Sequence, residues 1–136
     1  MDVISAISTA AGTGGVAIIR LSGEGALSLA SRMFAPDGKT AVADFSPYRM
    51  YTGKISGEGF TDYGMCVYFR APKSFTGEDS VEFHCHGGVA IARGILAKTL
   101  SLGARAAEKG EFTKRAFLNG KLSLSSAEGM IDMINA

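Results

Sequence analysis

The stretch SVEFHCHGGVAIARGILAKTLSL, residues 80–102, changes its periodicity half-way, and that change decides the fold class. From Ser80 to Cys85 the period is two: Val81, Phe83 and Cys85 share one face of a strand, and Glu82 and His84 share the other. After His86-Gly87-Gly88 the spacing turns helical, with apolar or small residues at Ala92, Ile95, Leu96, Thr99 and Leu100 and a natural C-terminal cap at Gly103. A one-faced strand followed by a one-striped helix predicts a sheet packed on helices.

Upstream, Tyr48–Ile55 and Phe60–Arg70 are rich in aromatic and β-branched residues and flank Ser56-Gly57-Glu58-Gly59, which predicts an antiparallel hairpin. Pro72 ends the second strand, and a polar loop, Lys73–Asp79, leads into the 80–85 strand. Nearer the N-terminus, Val3–Ile7 is a short apolar segment. Val16–Leu21 is an unbroken, β-branched run that reads as a strand buried on both faces. Ser22-Gly23 then opens a helix with Ala26, Leu29, Ala30 and Met33 at helical spacing, ending before Pro36.

Downstream, a short segment near Arg105 precedes a helical stretch from Gly110 to Leu118 that breaks at Asn119-Gly120. A last helix is expected from Ser125, where Ser125 and Glu128 match a capping box and Leu124, Ala127, Ile131 and Ile134 form an apolar stripe. Its apolar face runs to the final residues, which predicts a longer parent. The expected division is a domain at 1–120 and the start of a helical domain at 121–136.

The composition narrows the function classes. An apolar fraction of 46% with 20% charged residues excludes a disordered or collagen-like chain. Fourteen basic against thirteen acidic residues give a net charge of +1, too little to draw in nucleic acid by a global field. Two cysteines, Cys66 and Cys85, suit reduced buried thiols in a cytoplasmic protein. No apolar run approaches the roughly 18 residues that span a bilayer, so no membrane role is expected.

Several motifs invite chemistry. Gly12-Thr13-Gly14-Gly15 looks like a phosphate loop but leads into a strand rather than a helix N-terminus. Gly120-Lys121 lacks the upstream glycine and following hydroxyl of a nucleoside-triphosphate loop, so this stretch of chain carries no GTPase motif. His84-Cys85-His86 resembles a thiol or zinc cluster, yet Cys85 points away from both neighbours and further ligands are wanting. No metal site and no catalytic residue is expected. Arg20, Glu82 and Lys121, taken alone, read as surface charges.

Three ordered blocks raise those residues above that reading. Gly14 to Gly23, Ser74 to Asp79 with Glu82 and His86-Gly87-Gly88, and Gly110 to Leu122 are together similar to the N-terminal domain of the MnmE (TrmE) family of tRNA modification GTPases. Departures occur at Ala10-Ala11, where prolines are common in that family, at Ala17 for glycine and at Ser123 for aspartate.

The resemblance implies an α+β fold, a mixed or antiparallel sheet with packed helices like the tetrahydrofolate-binding domain of the glycine cleavage T protein. It implies binding of 5-formyl-tetrahydrofolate or a related one-carbon folate through Arg20, Glu82 and Lys121, and pairing into a homodimer. In the parent it implies GTP hydrolysis with Mg and K in a separate GTPase domain. The FAD-dependent partner MnmG (GidA) then joins in carboxymethylaminomethyl-type modification of the tRNA wobble uridine, with tRNA bound by the full complex. The rival reading is a free-standing folate-dependent one-carbon transferase.

Overall fold

A computed structural model describes residues 2–8 and 15–122. The helix expected from Ser125, the departures at Ala10-Ala11 and Ser123, the loop residues Gly12-Thr13-Gly14 and the division at 120/121 therefore lie wholly or largely outside the described residues.

In chain order the elements are β1 (Ile4–Ile7), β2 (Val16–Ser22), α1 (Ala26–Ser31), β3 (Phe34–Pro36) and a single 3-10 turn at Val42–Asp44. Then follow β4 (Met50–Gly57), β5 (Phe60–Phe69), β6 (Ser80–His86), α2 (Val89–Ser101), β7 (Arg105–Ala106) and α3 (Glu111–Leu118). The described strands form one sheet of seven, ordered β3-β4-β5-β6-β2-β1-β7. Neighbours are antiparallel except β1 and β7, which are parallel. The fold is thus α+β with a mixed sheet.

Period-two alternation builds the main core on one face. Ala17, Ile19 and Leu21 of β2, Val81, Phe83 and Cys85 of β6, and Cys66 and Tyr68 of β5 are buried together with Ala26, Leu29 and Ala30 of α1 and Ala92 and Ile95 of α2. The alternation expected for residues 80–85 holds. The hairpin holds as well, though β4 runs on to pair Gly57 with Phe60, leaving a two-residue turn, Glu58-Gly59. Gly59 takes φ of 81°, a conformation that glycine adopts without a steric cost.

Two expectations are corrected. β2 is not buried on both faces: Val16 is 55% exposed and Arg20 is partly exposed. α1 and α2 pack on the core face that carries Ala17, Ile19 and Leu21, and an apolar run does not itself say how many faces are covered. Secondly, Ser22 is the last residue of β2, and α1 starts only after Gly25 at φ 96°. β3 was not foreseen, since three residues show no period; its Pro36 is tolerated because the strand lies at the sheet edge.

The other face is covered at one end only. There Ile4, Ser22, Thr76, Ser80, Ala116 and Arg115 are buried. Arg115 is 3% exposed, and its Nη1 donates to the Asp2 carbonyl at 2.8 Å and to Glu78 Oε1 at 3.2 Å. Its Nη2 donates to Asp2 Oδ1 at 2.6 Å and to Glu111 Oε2 at 3.3 Å. Arg105 closes the network, donating to Asp2 Oδ2 at 2.6 Å and to Glu111 Oε2 at 2.5 Å. These bonds depress the Asp2 carboxyl to about 2, with Arg105 the larger cause and Arg115 the next.

Replacing Arg115 by methionine keeps much of its volume and leaves the nearly buried Glu78 carboxylate without its cation. Breaking a buried pair from one side costs about 3–5 kcal/mol, so the midpoint of urea unfolding is expected to fall sharply. A loss under about 1 kcal/mol, the value of a surface pair, would show that the network is dispensable.

Candidate functional site

The sheet face turned away from α1 and α2 carries two of the three charged side chains that the sequence singled out, Arg20 and Glu82. Arg20 on β2 lies directly opposite Glu82 on β6, with Ala6 and Val67 continuing the row on β1 and β5. Residues opposite one another in register share a face and meet. Arg20 Nε and Nη2 donate to Glu82 Oε2 at 3.0 and 2.8 Å. In the next row His84 Nε2 lies 3.1 Å from Glu82 Oε1.

Both oxygens of Glu82 are therefore engaged. Its pKa is held below the ordinary carboxylate value, chiefly by the His84 hydrogen bond; burial works the other way, and Arg20 adds its own bond and charge. An ionised carboxylate only accepts, so Nε2 of His84 carries the proton in this contact.

Two phenyl rings attend the cation. The Arg20 guanidinium carbon is 5.7 Å from the centroid of Phe75 and 5.8 Å from that of Phe112, both within cation–π range. A cavity of about 140 Å³ opens beside the pair, lined by Arg20, Phe69, Phe75, Ser80 and Glu82. Phe75 brings the 71–79 loop into its lining, and that loop is fastened on several sides. Asp79 Oδ1 accepts from the Ala71 amide at 2.8 Å, and Tyr48 Oη donates to the Lys73 carbonyl at 2.7 Å. Asn119 Nδ2 donates to the Thr76 carbonyl at 2.8 Å.

Lys121 belongs to this fastening. Its Nζ donates to the Pro72 carbonyl at 3.2 Å, and it does not line the cavity. The structure thus joins Arg20 and Glu82, while Lys121 reaches the same loop from another side. Gly77, at φ 83°, makes room for it: a Cβ there would fall 2.9 Å from Asn119 Cβ and 3.4 Å from Lys121 Cγ.

The profile of the family described as "GTP-binding protein TrmE N-terminus" matches residues 3–121. The chain belongs to the TrmE N-terminal family. It is 48% identical to a tRNA modification GTPase MnmE of Geobacter sulfurreducens, over 99% of this chain and 30% of that protein. Proteins of the same name from Roseiflexus castenholzii and Clostridioides difficile are 45% and 44% identical, again over 99% of this chain and 29% and 30% of theirs. The chain spans about a third of the length of these relatives.

The three blocks of TrmE character converge in space. The first supplies Arg20, the second Phe75, Glu82 and the loop between them, and the third Phe112, Arg115, Asn119 and Lys121. Sequence reading missed Phe69, Phe75 and Phe112; the available signal was that Phe75 and Phe112 stand inside two of the blocks. It missed Arg115 altogether, because a lone arginine in a helix gives no sign of being buried.

The His84-Cys85-His86 cluster does not act as one. His84 bonds Glu82, whereas His86 Nδ1 lies 2.8 Å from Asp62 Oδ1. No group of three or more His, Cys, Asp or Glu residues that could hold a metal ion occurs among the described residues. Cys85 points into the core, and its thiol is pushed up to about 11 by burial and then by the charge of Asp62; burial alone pushes Cys66 up to about 12. No described helix is long and apolar enough to cross a membrane.

Two measurements follow. Both thiols are expected to resist iodoacetamide in the native protein at neutral pH and to react once urea unfolds it; rapid native labelling would contradict their burial. Because the folded-state pKa of Glu82 is depressed, its stabilisation is full above the ordinary carboxylate range and is lost as pH falls through the folded value. Wild type is expected to exceed Glu82→Gln in unfolding free energy at neutral pH, with the gap closing under acid; a gap independent of pH would show that the charge contributes nothing.

Proposed function

We propose that this domain binds a one-carbon tetrahydrofolate derivative, such as 5-formyl-tetrahydrofolate, at the Arg20–Glu82 pair and homodimerises. The observation that carries the reading is an ionised carboxylate on a half-covered sheet face, beside a cavity walled by Phe69 and Phe75. A folate offers a flat aminopyrimidinone edge with adjacent N–H donors and a tail ending in carboxylates. Glu82 suits the head because a carboxylate accepts two parallel bonds, and Arg20 and Lys121 suit the tail. Lys121, attached to the loop outside the cavity, fits the more distant part of such a ligand.

A cavity of about 140 Å³ is under half of the roughly 300 Å³ at which pockets for drug-sized ligands begin, so a further wall is needed. A second copy of the domain is our candidate for it. Val16, Met50, Tyr63 and Phe75 are exposed, and the first three lie on strands of this same face, as an interface between copies requires.

For the parent we propose the activity that its relatives' names state, GTP hydrolysis in tRNA modification. In this reading GTP, Mg and K bind in a domain beyond this chain, and MnmG (GidA) with its FAD and the tRNA join the full cytoplasmic complex. The product is a carboxymethylaminomethyl-type wobble uridine. The names of the relatives, and the third of their length that this chain spans, favour this over a free-standing one-carbon transferase.

Calorimetric titration with 5-formyl-tetrahydrofolate, with mass measured by light scattering, tests the reading. Saturable binding by a dimer is expected. Glu82→Ala is expected to weaken binding roughly tenfold or more, the value of one charge-assisted bond. An unchanged affinity in that variant would remove Glu82 from the site.

A further inference from the structure

The Arg20 guanidinium is a flat N–C–N unit that places two N–H donors, at 3.0 and 2.8 Å, on one oxygen of Glu82 with two phenyl rings in range. The head of a pterin is built alike. Its 2-amino-pyrimidinone edge is a cyclic guanidine, planar, with adjacent N–H donors for a carboxylate and faces that favour aromatic neighbours.

We propose that Arg20 is an internal surrogate for the ligand's head: its side chain stands on Glu82 where the pterin edge binds, and binding exchanges one guanidine-type group for the other. The displaced Arg20 then pairs with the acidic tail of the same ligand. This inference rests on the folate reading and adds to it an order of events and a source of specificity.

Three observations support the exchange. Glu82 is held from two directions, by Arg20 at Oε2 and by His84 at Oε1, so the carboxylate keeps an anchor when Arg20 leaves. The Arg20 side chain is 27% exposed against 13% for Glu82, so the cation is the more accessible member of the pair. The cavity beside the pair is too small for a pterin with its tail, and Arg20 is part of its lining, so withdrawing the guanidinium would open it beside Glu82.

The energetics follow from counting partners. A complete folate returns to Glu82 the bonds it loses and gives Arg20 a new anion, so no charge is left unpaired. A pterin without the glutamate tail satisfies Glu82 but strands Arg20 without a partner. Arg20 thereby selects for ligands that carry both ends.

The test titrates the full-length protein carrying this domain with two ligands, 5-formyl-tetrahydrofolate and the tail-less 6-methyl-tetrahydropterin. Arg20→Ala is expected to strengthen the tail-less pterin roughly tenfold, by freeing Glu82, and to leave the folate little changed, because the bond lost at the tail is offset by the pair that no longer has to be broken. Arg20→Lys keeps the charge but loses the planar fork; it is expected to strengthen the tail-less pterin while retaining the folate, and it serves if the alanine variant unfolds in a thermal scan. If Arg20 only supports Glu82, its removal weakens both ligands, and that result, or an unchanged pterin affinity, overturns the exchange. A wild-type protein that binds neither ligand overturns the folate reading itself.

Discussion

A guanidinium with almost no access to water, Arg115, must find its hydrogen-bond partners inside the protein, and the second layer of the fold is arranged around that requirement. Its partners come from the first residues of the chain, from the loop before β6 and from its own helix: Asp2, Glu78 and Glu111. Satisfying one cation therefore fixes three segments against one end of the sheet. Phe75 stands three residues before Glu78, and Phe112 three residues before Arg115. The two rings near Arg20 thus owe their placement to an ion network in which neither takes part.

The two faces of the sheet divide the labour. One is an apolar core under α1 and α2. The other mixes Ile4 and Ala116 with polar residues in its covered part, where Ser22, Thr76 and Ser80 are buried and bonded to one another. The Arg20–Glu82–His84 row sits at the boundary between covered and open sheet. Close to the covered end, it is partly desolvated, the environment in which charge pairing is stronger than in open water.

Much of the fold was legible because local periodicity carried it. Val81, Phe83 and Cys85 alternate and are buried; residues 89–101 repeat at helical spacing and form α2; the glycines at 57 and 59 marked the hairpin. What stayed hidden depends on register between distant segments. Nothing local says that Arg20 faces Glu82, since their juxtaposition follows from β2 lying antiparallel to β6 with that alignment and no other. Arg20 and Glu82 themselves came from the family resemblance, as did Lys121, whose contact with Pro72 shows how a shared sequence block marks a place without giving its geometry. Arg115 was illegible for a related reason: its partners lie 113, 37 and 4 residues away, and only the last is visible as a helical spacing.

The pairing of β1 with β7 joins residues near 4 to residues near 105, and the bond from Arg115 to the Asp2 carbonyl closes a still longer span. During synthesis the chain emerges from its N-terminus, so β1 waits through the production of nearly a hundred residues, most of the matched domain, before its outer neighbour exists. Until then one sheet edge is open and Glu78 lacks its cation. The β4–β5 hairpin, whose partners are close along the chain, can form long before. Synthesis thus delivers the hairpin first and the layer over the second sheet face last, and the nascent chain is most vulnerable to edge-to-edge association just before β7 is released.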